Sequence, residues 1–248
     1  DWDRLHSNLE RGVLQALTIT ATHVTTGRPV VFVQRAPGTR LPVELRGRAV
    51  VRETRIKPRH VLASSAIPLL FPSVDIDGYL HCDGGLRLNT PMSPAIHCGA
   101  DRLLVVGVST PAHAGGANLT PGHHPGAPFL LGKVLNAFLL DHLNSDVAEL
   151  DRVNAMLRHG IEVHGDGFVD AMNALALRDG TPQRRVVDYL AVRPSVDIGQ
   201  IAAEQLRKRG SRMRGGLGKA ALRMLDVGEG ADADLASYLL FDGDFARA

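Results

Sequence analysis

The sequence predicts an α/β fold, because strand-like and helix-like patterns alternate along its first half. Residues 17–24 and 29–33 are rich in β-branched side chains and flank a Thr-Thr-Gly turn, which predicts a β-hairpin. Residues 103–108 form a continuous apolar run, which is typical of a strand buried on both faces. A helix-length segment at residues 93–99 precedes this run, and a helix followed by a buried strand favours a mostly parallel sheet.

The other elements follow from the spacing of apolar residues and from turn signals. Helices are predicted at residues 2–12, 129–158, 198–209, 217–225 and 232–241, and strands at 49–52, 74–78, 79–82 and 186–192. We expect a tight turn between 74–78 and 79–82, and we expect Gly160 to end the long helix. A short apolar segment at 61–66 is expected to stop before Pro68.

The sequence favours a single domain over residues 1–248, because it contains no internal repeat and no clear linker. Within this domain, residues from about 195 to 248 are expected to form a helical extension. The loop at residues 110–128 is rich in proline and glycine, and loops of this length are found as functional lids or as disordered segments.

Composition excludes several classes of protein. The 248 residues are 44% hydrophobic and carry 28 basic and 26 acidic side chains, so neither overall disorder nor nucleic-acid binding is indicated. No apolar run approaches the roughly 18 residues of a membrane-spanning helix. Two cysteines, Cys82 and Cys98, are too few for a disulfide framework, which indicates a reducing compartment and therefore a cytoplasmic protein.

Four short motifs follow one another in the first half of the chain. They are Ala63-Ser-Ser-Ala-Ile-Pro68, Asp83-Gly84-Gly85, Asn89-Thr-Pro91 and Gly99-Ala-Asp101. Each motif is weak by itself, but their order and spacing resemble the patatin-like phospholipase family. That resemblance implies a three-layer αβα sandwich and a lipid acyl-ester hydrolase. It further implies a lipid or phospholipid substrate and no metal or organic cofactor.

The same resemblance implies a Ser–Asp dyad in which Asp83 is the catalytic carboxylate. A general base must lie within hydrogen-bond reach of the hydroxyl that it deprotonates, and Gly84 and Gly85 leave the backbone beside Asp83 uncrowded. We expect partial burial to raise the pKa of Asp83 toward neutrality. The alternative for this tripeptide is a simple hairpin turn, since Asp-Gly is a common type I′ signal.

The nucleophile that the resemblance requires is missing. A patatin-like enzyme needs a serine in a Gly-x-Ser-x-Gly elbow and a glycine-rich oxyanion loop. No serine here stands in that motif; Ser109, in Gly107-Val-Ser-Thr-Pro111, comes nearest but follows Asp83. We therefore expect a domain truncated at its N-terminus, beginning at Asp1 rather than Met, and inactive by itself. The alternative is a non-catalytic scaffold that binds lipid or a protein partner.

Histidine and cysteine recur together, as His81-Cys82 and His97-Cys98, in a combination that zinc sites use. Adjacent residues on a strand point to opposite faces, so such pairs do not converge easily on one ion. We expect buried cysteines beside partly exposed histidines, and no metal. A nucleotide-binding domain is not indicated either, because the sequence has no Gly-x-Gly-x-x-Gly and no Walker motif.

A basic run near the C-terminus is a candidate for membrane contact. It has seven cations and no acid, namely Arg207, Lys208, Arg209, Arg212, Arg214, Lys219 and Arg223. Anionic lipid surfaces attract such clusters, so the run predicts peripheral binding to a membrane. The alternative is a solvated helix face, which is the usual place of a charge run.

Overall fold

The computed structural model describes residues 1–39, 41, 49–87, 91–108, 134, 142–196, 198–199, 201–202 and 204. The helices are α1 (Trp2–Glu10), α2 (Pro58–Ser64), α3 (Met92–His97), α4 (His142–His164) and α5 (Phe168–Arg178). The strands are β1 (Ala16–His23), β2 (Pro29–Arg35), β3 (Val50–Glu53), β4 (Val74–Ile76), β5 (Tyr79–Asp83), β6 (Arg102–Val106) and β7 (Asp188–Val192).

The chain divides into two compact units. The first comprises Asp1–Val105 with His142–Leu190, and the second comprises Val106–Asp141 with Ala191–Ala248. The first unit contains β1 to β5 and the helices α1 to α5, so the candidate site is described within it. The single domain expected over residues 1–248 stays a prediction.

Five strands form one mixed sheet in the order β3-β2-β1-β5-β4. The strand β1 runs antiparallel to both of its neighbours, with Ala16 opposite Arg35 on β2 and Ala21 opposite Asp83 on β5. The strands β4 and β5 are also antiparallel, whereas β2 and β3 are parallel. The α/β class is therefore confirmed, but the sheet is mixed where a mostly parallel one was expected.

Short connections explain two of the three antiparallel pairs in this sheet, β1 with β2 and β4 with β5. Asp77 and Gly78 alone join β4 to β5, and both have positive φ, 54° and 82°. Such a two-residue turn forces the strands that it joins to run in opposite directions. The three-layer arrangement of helices around the sheet stays a prediction.

The centre of the core is β2. Val30 and Phe32 on one of its faces pack with Ala21, Ala63 and Ile76, and all five are buried. The helix α2 covers this face, where it packs against β1, β4 and β5. Because α2 lies beside β5, the residues that follow α2 come close to the end of that strand.

The long helix differs from its prediction at its C-terminal end. Gly160 does not end α4, which continues to His164. A side chain at Gly160 would collide with the ring of Phe168 at the start of α5, so this glycine provides room for helix packing. The sequence pattern did not reveal α5 itself. Residues 129–133 and 135–141 of the predicted helix lie outside the described residues.

The strand β6 pairs with β7 in a separate two-stranded sheet. The apolar run that contains β6 was expected to be buried on both faces, and this expectation is wrong. Val105 is buried, whereas Leu104 and Val106 are exposed. An apolar run by itself does not identify the faces of a strand that are covered.

Several predictions fall on residues outside the described part of the chain. They concern Asn89, Ser109, the loop at 110–128, most of the predicted helix at 198–209, the helices at 217–225 and 232–241, and the basic residues Arg207, Lys208, Arg209, Arg212, Arg214, Lys219 and Arg223. Among the residues that are described, no helix is both long enough and apolar enough to span a bilayer.

Candidate active site

Asp83 is the last residue of β5, and its backbone is held from two sides. Its N–H donates to the carbonyl oxygen of Ala66, just after α2, at 2.9 Å. Its carbonyl oxygen accepts from Oγ1 of Thr22 on β1, also at 2.9 Å. Thr22 is 4% exposed, so this second bond is sheltered from water. The position of Asp83 is therefore set by both α2 and β1.

The carboxyl group of Asp83 is half-buried and faces the turn that follows the strand. Its Oδ1 accepts from the N–H of Gly85 at 2.6 Å and caps the short 3-10 helix Gly84–Leu86. Burial raises the pKa of this carboxyl group above its ordinary value, and the bond from Gly85 partly opposes the rise. A raised pKa is the direction that a carboxylate needs to act as a base near neutral pH.

Gly84 is required for space. A side chain here would clash with the carbonyl oxygen of Thr20, and its Cβ would lie 2.7 Å from Oγ1 of Thr20. The sequence suggested that glycines leave the approach to Asp83 uncrowded; the structure shows that Gly84 lets β1 lie against the turn. The turn continues into a 3-10 helix and, among the residues that the structure describes, joins no two paired strands, so the alternative of a hairpin turn is wrong.

The Ala63-Ser-Ser-Ala-Ile-Pro68 block connects α2 to the site. Ala63, Ala66 and Ile67 are buried, and Ala66 provides the carbonyl that binds Asp83. Oγ of Ser65 donates to the backbone oxygens of Val61 and Leu62, which is a local role typical of serine at the end of a helix. The small residues of the block let α2 pack closely enough for its end to reach β5.

Two buried histidines lie beneath the candidate site, and the sequence did not indicate them as a pair. The rings of His60 on α2 and His81 on β5 both contact Phe32, with centroids 4.7 and 5.4 Å from it. Burial lowers the pKa of both imidazoles. His81 is fully buried, which corrects the expectation that it would be partly exposed. Its Nδ1–H donates to Tyr79, while Nε2 has no partner among the described residues.

The two histidine–cysteine pairs remain separate features. Cys82 is buried on β5, and burial raises the pKa of its thiol. Nδ1 of His97 lies 2.7 Å from the backbone oxygen of Ser93 within α3. In the part of the chain that the structure describes, no group of three His, Cys, Asp or Glu side chains could hold a metal ion. No disulfide joins Cys82 and Cys98.

Comparison with known families supports the resemblance over part of the chain. The model of the patatin-like phospholipase family matches residues 11–96. The resemblance is therefore confirmed over that stretch, which runs from β1 through the Asp83-Gly84-Gly85 turn to α3. A search of curated proteins found none that matches the chain.

Proposed function

We propose that the chain is part of a lipid acyl-ester hydrolase in which Asp83 serves as the base of a Ser–Asp dyad. The observation that carries the proposal is the half-buried carboxyl group of Asp83, which lies within the residues matched by the patatin-like family model. Burial raises the pKa of this carboxyl group. Members of this family act on lipid substrates, so we infer an ester bond of a lipid or phospholipid as the target.

In the proposed reaction, a serine hydroxyl attacks the ester carbonyl while Asp83 accepts its proton. Since Gly85 holds Oδ1, we assign the proton transfer to Oδ2. The protonated carboxyl then returns the proton to the leaving alcohol, and an acyl-enzyme remains. Asp83 next takes a proton from a water molecule whose oxygen attacks the acyl carbonyl. The ester bond to the serine oxygen then breaks, the fatty acid leaves, and Asp83 returns the proton to the serine oxygen.

We infer that the nucleophilic serine belongs to a segment outside these 248 residues. No serine in the sequence has glycine at both second neighbours, and Ser109, the nearest case, has Pro111 in place of the second glycine. We call this chain together with such a segment the full-length protein. The absence of the motif also favours a second candidate function, a non-catalytic scaffold that binds lipid or a protein partner.

Labelling with a fluorophosphonate probe separates the two candidates. This reagent forms a covalent bond with activated serines, so we expect it to label the full-length protein and to spare the 248-residue chain. Label on the 248-residue chain would contradict our assignment of the nucleophile. A full-length protein that stays unlabelled, while a known serine hydrolase in the same tube is labelled, would favour the scaffold.

A further inference from the structure

The outer face of α2 exposes two large apolar side chains. His60 and Ala63 face the core, whereas Val61 and Leu62 on the opposite side are 43% and 61% exposed. A helix at the surface of a protein usually places polar residues on its solvent side. The exposed apolar side chains on this face of α2 are therefore typical of a surface that binds an apolar partner.

The turn after α2 extends this apolar surface. Leu69 is 88% exposed and has a φ of 71°, a left-handed conformation that is strained for a leucine. Backbone hydrogen bonds from Leu70 and Phe71 to the carbonyl oxygen of Ile67, at 3.2 and 2.9 Å, close the turn around it. The fold thus holds a large apolar side chain in solvent in spite of local strain.

The charges within the segment that forms this apolar surface are all positive, although Asp77 of the neighbouring turn also lies near His60. Residues 54–74 contain three basic side chains and no acidic one. Lys57 and Arg59 are exposed at the start of α2, while Arg55 lies near Glu10. Apolar side chains flanked by cations are the combination that lies at the interface of a membrane with anionic lipids.

A few residues connect this apolar surface to the candidate base, Asp83. Ala66 lies between α2 and Leu69, and its carbonyl oxygen accepts from the N–H of Asp83. We propose that this "α2 surface" docks on an anionic lipid membrane and thereby brings the Asp83 turn to its substrate. We define it by Lys57, Arg59, Val61, Leu62 and Leu69. The choice of lipid over other partners rests on the proposed function.

Flotation with lipid vesicles tests the apolar part of the α2 surface. The full-length protein is mixed with phosphatidylcholine vesicles that contain about one third phosphatidylglycerol. We expect L69N and L62Q each to lower the partition coefficient about tenfold, because each removes an apolar side chain from the interface. Asparagine suits the left-handed backbone, so L69N preserves the fold. The matched control is L177Q on α5, whose leucine is 64% exposed, and we expect it to bind like the wild type.

The same assay tests the charges. We expect R59Q to weaken binding to the anionic vesicles about fivefold and to leave binding to pure phosphatidylcholine unchanged. The control is R4Q, since Arg4 is exposed on α1. An equal loss in R4Q would mean that overall charge, and not the α2 surface, attracts the chain, which would overturn the proposal.

Two other outcomes would contradict the docking proposal. If L69N and L62Q float as the wild type does, the α2 surface is not the docking site. If sedimentation shows a wild-type dimer that L69N dissociates, a second copy covers the surface and the proposal is wrong. Flotation does not depend on hydrolysis, so the two proposals can fail separately. If the protein docks through Leu69 but the full-length protein stays unlabelled by fluorophosphonate, the docking proposal stands and the proposed enzyme activity is wrong.

Discussion

Asp83 and Gly84 have complementary roles in the candidate site, one chemical and one spatial. Asp83 provides a half-buried carboxyl group, and burial raises its pKa. Gly84 provides no functional group; its missing side chain leaves room for the backbone of Thr20. Because of that room, β5 stays paired with β1 as far as Asp83, opposite Ala21. The chemistry of one residue thus depends on the size of the next.

We predict that Gly84→Ala lowers the free energy of unfolding by about 1 to 3 kcal/mol, because the new methyl group overpacks the contact with Thr20. Urea unfolding followed by circular dichroism measures the change. Gly167→Ala is the matched control, since a Cβ at Gly167 meets no atom within 4 Å. Equal stability of the two variants would show that Gly84 is not required for space.

At the scale of elements, α2 and β5 meet around Phe32 through His60 and His81. Both imidazoles are buried, and their nearest charged groups are of mixed sign. The charged neighbours of His81 are His23, Arg52 and Asp75. The charged neighbours of His60 are Arg59, Asp77 and Lys57. Desolvation is the largest influence on both, so a positive charge on either ring works against the packing that holds Asp83.

We predict that the protein loses stability as the pH falls below about 6.5, the ordinary pKa of histidine. The pKa of His60 and of His81 is lowered in the folded state, so the unfolded chain takes up protons first as the pH drops. Proton uptake then favours unfolding until the lowered pKa values are reached. Above pH 6.5 both states hold neutral imidazoles, and this contribution to stability is fully present.

Urea unfolding at about pH 7.5 and about pH 5 measures this slope, and H81F removes one of the two titrating groups. We expect a smaller loss of stability toward pH 5 in H81F than in the wild type. Asp83 acts with the opposite sign, because its raised pKa costs stability as the pH rises from 3.8. An unchanged slope in H81F would rule out His81 as a source of acid sensitivity.

At the scale of the whole molecule, the sequence predicted what depends on neighbouring residues. The β1–β2 hairpin, the Asp77-Gly78 turn and the motif around Asp83 were all identified from local patterns. The pairing of β5 with β1 joins residues about 60 positions apart, and no local pattern indicates it. Gly160 was misassigned for the same reason, because its neighbour Phe168 belongs to the next helix.

The contacts that hold Asp83 are likewise long-range and involve ordinary residues. Thr22 acts through its hydroxyl and Ala66 through its backbone carbonyl, and neither belongs to a catalytic motif. His81 was expected to be partly exposed because adjacent strand residues point to opposite faces and Cys82 was expected to be buried, yet the packing of α2 over Phe32 buries His81 as well. The sequence therefore predicted the candidate base but not the residues that hold it, because those contacts form only in the tertiary structure.

The most direct test of the central claim, that Asp83 is the catalytic base, is the ester turnover of the full-length protein carrying Asp83→Asn. Asparagine retains an oxygen that can accept from Gly85, so the fold is preserved while the base is lost. We predict a fall in turnover of about 10⁴-fold, the loss seen for a comparable change in a catalytic triad. Asp75→Asn, at an exposed carboxylate on β4, is the control and retains turnover. Turnover in Asp83→Asn above about a tenth of the wild-type value would contradict the assignment.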